Sequence, residues 1–153
     1  MKTRVLLALI ISVALFACGK DKFQTVPQLK VKSKNTDVVS LNGTLRVILE
    51  YTDKEGDVSD SLIIVRQRLN KNGPLILSPS PYKIPDFPNT DKGQIQIEFR
   101  YSQDLTFNIP RLRIIGSNPI QYERDTMLLK FVARDKAGNK SDTASTNVIV
   151  ERQ

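Results

Sequence analysis

Four carboxylates crowd one short stretch of the chain: Asp53, Glu55 and Asp57 in "TDKEGD", with Asp60 close behind. Oxygen at this density is what a hard cation such as calcium takes, since it wants six to eight ligands. One short loop supplies too few, and the spacing is not that of an EF-hand. Counted from Asp53, the glycine arrives two positions early and the twelfth position is Ile64. A second polar stretch, "DKAGNKSD", adds Asp135, Asn139 and Asp142 if the fold brings the two together. The competing reading is turn chemistry, in which Asp accepts local backbone hydrogen bonds and Gly56 tolerates positive φ. Lys54, Lys136 and Lys140 are also at hand to pair with these carboxylates.

Other chemistry is narrow. The chain has no histidine and one cysteine, Cys18. Cys/His zinc sites, imidazole acid–base catalysis and Ser-His-Asp or Cys-His nucleophiles are therefore excluded. Carboxylate pairs, lysine bases and Ser-Lys arrangements remain formally open. No G-x-S-x-G, P-loop or S-x-x-K at an element junction supports them, so the expectation is a protein that is not an enzyme. Tyr82 and Phe87, in a proline-rich stretch, offer a platform for a glycan or an extended peptide, or else cover one edge of a core. There is no Trp to strengthen the glycan reading.

Cys18 follows a short positive segment with Lys2 and Arg4, an apolar run over residues 5–17 and the small residue Ala17. These are the three parts of a secretory signal. The run is short of the roughly 20 residues needed to span a bilayer. A single cysteine in an exported chain has no intramolecular partner. Leu15-Phe16-Ala17-Cys18 resembles the bacterial lipoprotein lipobox. That resemblance implies loss of residues 1–17, acylation of Cys18 with palmitate-type chains, and anchoring in a membrane of the cell envelope. The following segment, "GKDKF", is mostly basic, which favours the outer membrane and its periplasmic face over surface export.

The formal net charge of +7 does not call for nucleic acid. Its excess lies in the first 36 residues, in Lys2, Arg4, Lys20, Lys22, Lys30, Lys32 and Lys34, while the body from Asp37 onward is near neutral. The expected organisation is a signal peptide over 1–17, a lipidated basic tether over 18–36 and one domain over 37–153. Lysines beside a lipid anchor either lie against an anionic membrane surface or keep a linker soluble.

The elements that must position these residues read as strands. In residues 94–101, "QIQIEFRY", Ile95, Ile97, Phe99 and Tyr101 alternate with polar residues, the period of a strand with one wet face. Residues 44–51, 62–69, 125–134 and 144–150 repeat the pattern, and 28–33 suit an edge strand whose lysines blunt exposed backbone. Short strand pieces are also expected at 75–77, 105–109 and 112–115. Turn clusters rich in Gly, Asn, Asp and Pro separate the runs, and no stretch has three turns of helical periodicity. The prolines between 74 and 88 predict a stiff extended crossing. The fold class is all-β, an antiparallel β-sandwich.

"YTDKEGDVSD", "YKIP", "GQIQIEF" and "DTMLLKFVARDKAGNKSD", in this order, resemble small Gram-negative lipoproteins with a single immunoglobulin-like β-sandwich domain of about seven strands. The resemblance implies that fold and a binding or scaffolding role at the envelope, with a protein or polysaccharide partner. An accessory glycan-binding lipoprotein and a calcium-dependent adhesion module are the alternatives. In such a sandwich the loop after the second strand and the last hairpin loop share one end. "TDKEGD" and "DKAGNKSD" then become neighbours, and Asp53, Glu55, Asp57, Asp60, Asp135 and Asn139 the candidate calcium ligands.

Overall fold

A computed structural model describes residues 26–58 and 61–153. The expected signal peptide, Cys18, the start of the expected tether and Asp60 lie outside the described residues. Among the described residues nine strands follow in chain order: β1 (Gln28–Lys34), β2 (Val38–Val39), β3 (Thr44–Thr52), β4 (Ser61–Arg68), β5 (Leu75–Ile76), β6 (Ser80–Tyr82), β7 (Lys92–Arg100), β8 (Asp125–Arg134) and β9 (Ala144–Val150). They form an all-β sandwich. One sheet has the order β1-β3-β7; the other runs β2-β9-β8-β4-β5, with β6 also paired to β4. Every pairing is antiparallel except that of β2 with β9.

Alternation in sequence becomes alternation in burial. Leu45, Val47, Leu49 and Tyr51 of β3 meet Ile95, Ile97 and Phe99 of β7 on the inner face of the smaller sheet. Met127, Leu129, Phe131 and Ala133 of β8 line the facing sheet. The Phe99 and Phe131 rings, 6.2 Å apart and tilted by 53°, join the two layers. Phe131 is fully buried, and cutting such a ring back to Ala typically costs about 3–5 kcal/mol. Gly93 is fixed by this packing: it pairs with Tyr51, whose ring lies 2.7 Å from where a Cβ would stand.

The tether expected over 18–36 gives up its last part to the sandwich. Residues 28–34 are β1, in register with β3 from Gln28 opposite Thr52 to Lys34 opposite Val47. Leu29 turns into the core, while Lys30 and Lys32 reach Glu50 at 2.7 and 3.7 Å. Charges that read as a membrane-facing linker are cross-strand partners of a carboxylate. The domain therefore starts by Gln28, not at Asp37.

The proline-rich crossing holds β5 and β6 rather than plain extended chain. β6, containing Pro81, pairs along β4 at the border of its sheet, where a residue without an N–H is tolerated. Ile84 from the same crossing is buried. After β7 the chain makes one π-helical turn over Tyr101–Leu105, not a strand. Residues 112–123 then form a small hairpin, with Arg113 bridged to Tyr122 and backbone bonds from Ile114 to Gln121 and Glu123 to Leu112.

Candidate functional site

The strand registers sort the loops into two ends. Gln28, Thr52 and Lys92 stand side by side at the end where the chain enters the domain, and Ser61 pairs with Arg134 in the other sheet. The turn after β3 and the turn after β8 therefore share this end. Asp53 and Asp135 are each 1% exposed, and the Asp135 carboxylate is near enough to act on that of Asp53.

The two turns share a hydrogen-bond pattern around their glycines. In "DKEGD" the Gly56 N–H donates to the Asp53 carbonyl at 3.3 Å, and the Asp57 N–H to Asp53 Oδ2 at 3.1 Å. In "DKAGN" the Gly138 N–H donates to the Asp135 carbonyl at 3.1 Å, and the Asn139 N–H to Asp135 Oδ1 at 2.7 Å. Both glycines have positive φ, +68° at Gly56 and +91° at Gly138. Each aspartate thus organises its own turn by accepting from the residue after the glycine.

Besides Glu55 opposite Ala137, both outside the hydrogen bonding of the turn, they differ at the last side chain. The Asn139 amide donates to Asp135 Oδ2 at 2.8 Å, so both Asp135 oxygens are satisfied. Asp57 holds the matching position in the first turn and has nothing to donate when ionised. Oδ1 of Asp53 and Oδ1 of Asp57 are both buried without a hydrogen-bond partner. Burial pushes the Asp53 carboxyl above its usual range; the Asp57 N–H pulls it down, and the Asp57 and Asp135 carboxylates push it further up.

The first turn is also held from outside. The Asp53 N–H donates to the Asp91 carbonyl at 2.8 Å and the Thr90 N–H to the Gly56 carbonyl at 3.2 Å. Gly56 lies so close to Thr90 that a Cβ would stand 2.8 Å from its backbone nitrogen. Of the other residues expected here, Glu55 and Asp142 point to solvent, and Asn139 is occupied with Asp135. Lys54, Lys136 and Lys140 are exposed. Among the described residues, no ion pair reaches Asp53, Asp57 or Asp135, and no three ligand-type side chains form a ready-made metal cage.

Asp125, at the opposite end, is the counter-example and was not singled out from sequence. It is fully buried, with Arg152 Nε at 2.6 Å from one carboxylate oxygen and Arg68 Nη1 at 3.5 Å from the other. The same guanidiniums donate to the carbonyls of Gly73, Pro110 and Ile109. This cluster sews the β4–β5 turn, the connection before β8 and the C-terminal segment together. The sequence signal was an Asp at an inward position of β8, in phase with Met127 and Leu129.

Tyr82 and Phe87 line one shallow cleft of about 270 Å³ with Ile84, Pro85 and Ile95. Phe87 leans on Tyr51, ring centroids 5.8 Å apart, and covers the core edge; Tyr82 is the more exposed of the two. A second cleft of about 300 Å³ lies beside Arg66, Tyr82, Arg100 and Asp104.

No protein-family model matches the chain, and no curated protein matches its sequence. Among solved structures, the sporulation control protein Spo0M of Bacillus subtilis is similar at 8% identity and a TM-score of 0.47, over 84% of this chain and 50% of that one. A β-glucosidase from Listeria innocua, in complex with gluconolactone, is similar at 11% identity and a TM-score of 0.43, over 82% of this chain and 16% of that one. The chain thus spans half or less of these solved chains, and likeness at this level carries nothing about activity.

Proposed function

We propose that the protein is a lipid-anchored lipoprotein of the bacterial cell envelope, and that its sandwich is a non-catalytic binding or scaffolding module. The observation that carries this reading is Leu15-Phe16-Ala17-Cys18 placed ten residues ahead of the first strand, Gln28. A lipobox cysteine followed by a short leader and one domain is the layout of an anchored module. Several acyl chains, at about 0.8 kcal/mol per buried CH₂, hold such a protein on a membrane essentially permanently. The basic "GKDKF" favours the periplasmic face of the outer membrane. The strand order, with β2 parallel to β9 and split from β1, supports the immunoglobulin-like form of the sandwich.

The layout also supports recognition away from the anchor. The chain enters at the Asp53 end, and the hairpin 112–123 lies at the other, presenting Ile115 at 98% exposure with Ile120 beside Pro119. Isolated apolar side chains are ordinary on a surface, but two on one protruding turn suit contact with a protein partner. The test of anchoring is metabolic labelling with a palmitate analogue and membrane fractionation of wild type and Cys18→Ser. Label and membrane association in the wild type alone support the reading. Label retained by Cys18→Ser, or a wild type found soluble and unlabelled, would sink it.

A further inference from the structure

We propose that Asp53 and Asp57 hold a calcium ion at the end of the sandwich where the chain enters. The observation is the pair of buried carboxylate oxygens, Oδ1 of each residue, that accept no hydrogen bond. A buried carboxylate persists only with a donor, a proton or a counter-ion. Among the described residues, the fold supplies donors at the two other buried aspartates: Asn139 at Asp135, and Arg68 with Arg152 at Asp125. At Asp53 it supplies a second carboxylate instead, with Asp135 adding negative charge nearby. A shared proton would leave that site still negative and without a cation, whereas one divalent ion neutralises the pair.

The donor chemistry selects the ion. The groups here are oxygens, with no histidine in the chain and its one cysteine at position 18. Oxygen-only sites take hard cations rather than zinc or copper. Calcium suits this one better than magnesium, because its flexible coordination accepts two carboxylates completed by carbonyls and water, while magnesium demands a near-ideal octahedron. The turn is preformed for such a ligand: Gly56 and Asp53 are clamped to Thr90 and Asp91 whatever occupies the carboxylates.

The test uses the full chain in detergent, stripped with EGTA and titrated with calcium chloride. Calorimetry is expected to show one ion per chain, and thermal melts an EGTA-reversible rise of several degrees at saturating calcium. Asp53→Asn and Asp57→Asn are each expected to lose the rise, while Glu55→Gln, on the solvent side of the same turn, keeps it. Either Asn variant suffices if the other fails to fold. No rise at millimolar calcium, a rise unchanged in both Asn variants, or one lost in Glu55→Gln would overturn the assignment. The outcome is independent of acylation at Cys18.

Discussion

Two buried aspartates at opposite ends of one sandwich are treated in opposite ways. Asp125 is enclosed by two guanidiniums and needs nothing from outside. Asp53 keeps one oxygen bare beside another carboxylate. The near end repeats the contrast on a smaller scale, since "DKEGD" and "DKAGN" share two turn hydrogen bonds and part at the carboxylate where Asp57 stands in place of an asparagine. A closed polar cluster serves the fold alone; an open one of the same residue type leaves a place for a cation. The distinction is drawn by what stands opposite the carboxylate, not by how deeply it is buried.

The largest effect is expected at the closed end. Asp125→Ala strands two buried guanidiniums and is expected to cost about 3–5 kcal/mol in a denaturant melt, equally with calcium or EGTA. A loss under 1 kcal/mol, on the order of a surface substitution, would show the cluster to be less closed than its distances say. Next come the glycines of the twin turns. Both substitutions carry left-handed strain of about 1–2 kcal/mol, and Gly56→Ala also meets the Thr90 backbone, whereas a Cβ at Gly138 has only the Arg134 side chain near it, at 3.5 Å. Gly56→Ala is therefore expected to be clearly the more destabilising; equal losses would mean that the clamp to Thr90 yields.

The sharpest test of the twin turns is smaller. Asp57→Asn copies the Asn139 arrangement, so in EGTA it is expected to raise stability by about 1 kcal/mol, a hydrogen bond gained and a repulsion removed. A fall in stability would break the analogy between the turns. Smallest of all, Glu55→Gln is expected to stay within about 0.5 kcal/mol of the wild type, being exposed on the outer side of its turn.

Strands with clean alternation were legible in the sequence to within a residue or two. β8 and β9 begin and end where their patterns do, and β3, β4 and β7 differ by a residue or two at their ends. Such a strand buries one face, and the pattern is that burial written out. β2 and β6 were not legible, because two or three residues carry no period and their pairing is decided by β9 and β4. β1 was seen both as an edge strand and as part of a tether; its lysines meant a linker only as long as their partner, Glu50 on β3, was out of sight. In the candidate site, the meeting of Asp53 with Asp135 followed from strand order. The repeat D-K-x-G was present in the letters and went unread, and with it the one-residue difference between Asp57 and Asn139. Glu55 counts as acidic in composition but lies on the wrong side of the turn, which only the backbone path reveals.

The way β1 enters the sandwich has a mechanical consequence. Its ladder with β3 runs antiparallel from Gln28 to Lys34, and the chain then steps across to pair β2 with β9 in the other sheet. A pull on the segment upstream of Gln28, directed along the strands, loads the rungs of that ladder together in shear rather than peeling them one by one. Resistance is then shared by the whole strand, and the step to β2 passes the load into both sheets. A module tied at that point and gripped at its opposite end would resist tension as a unit.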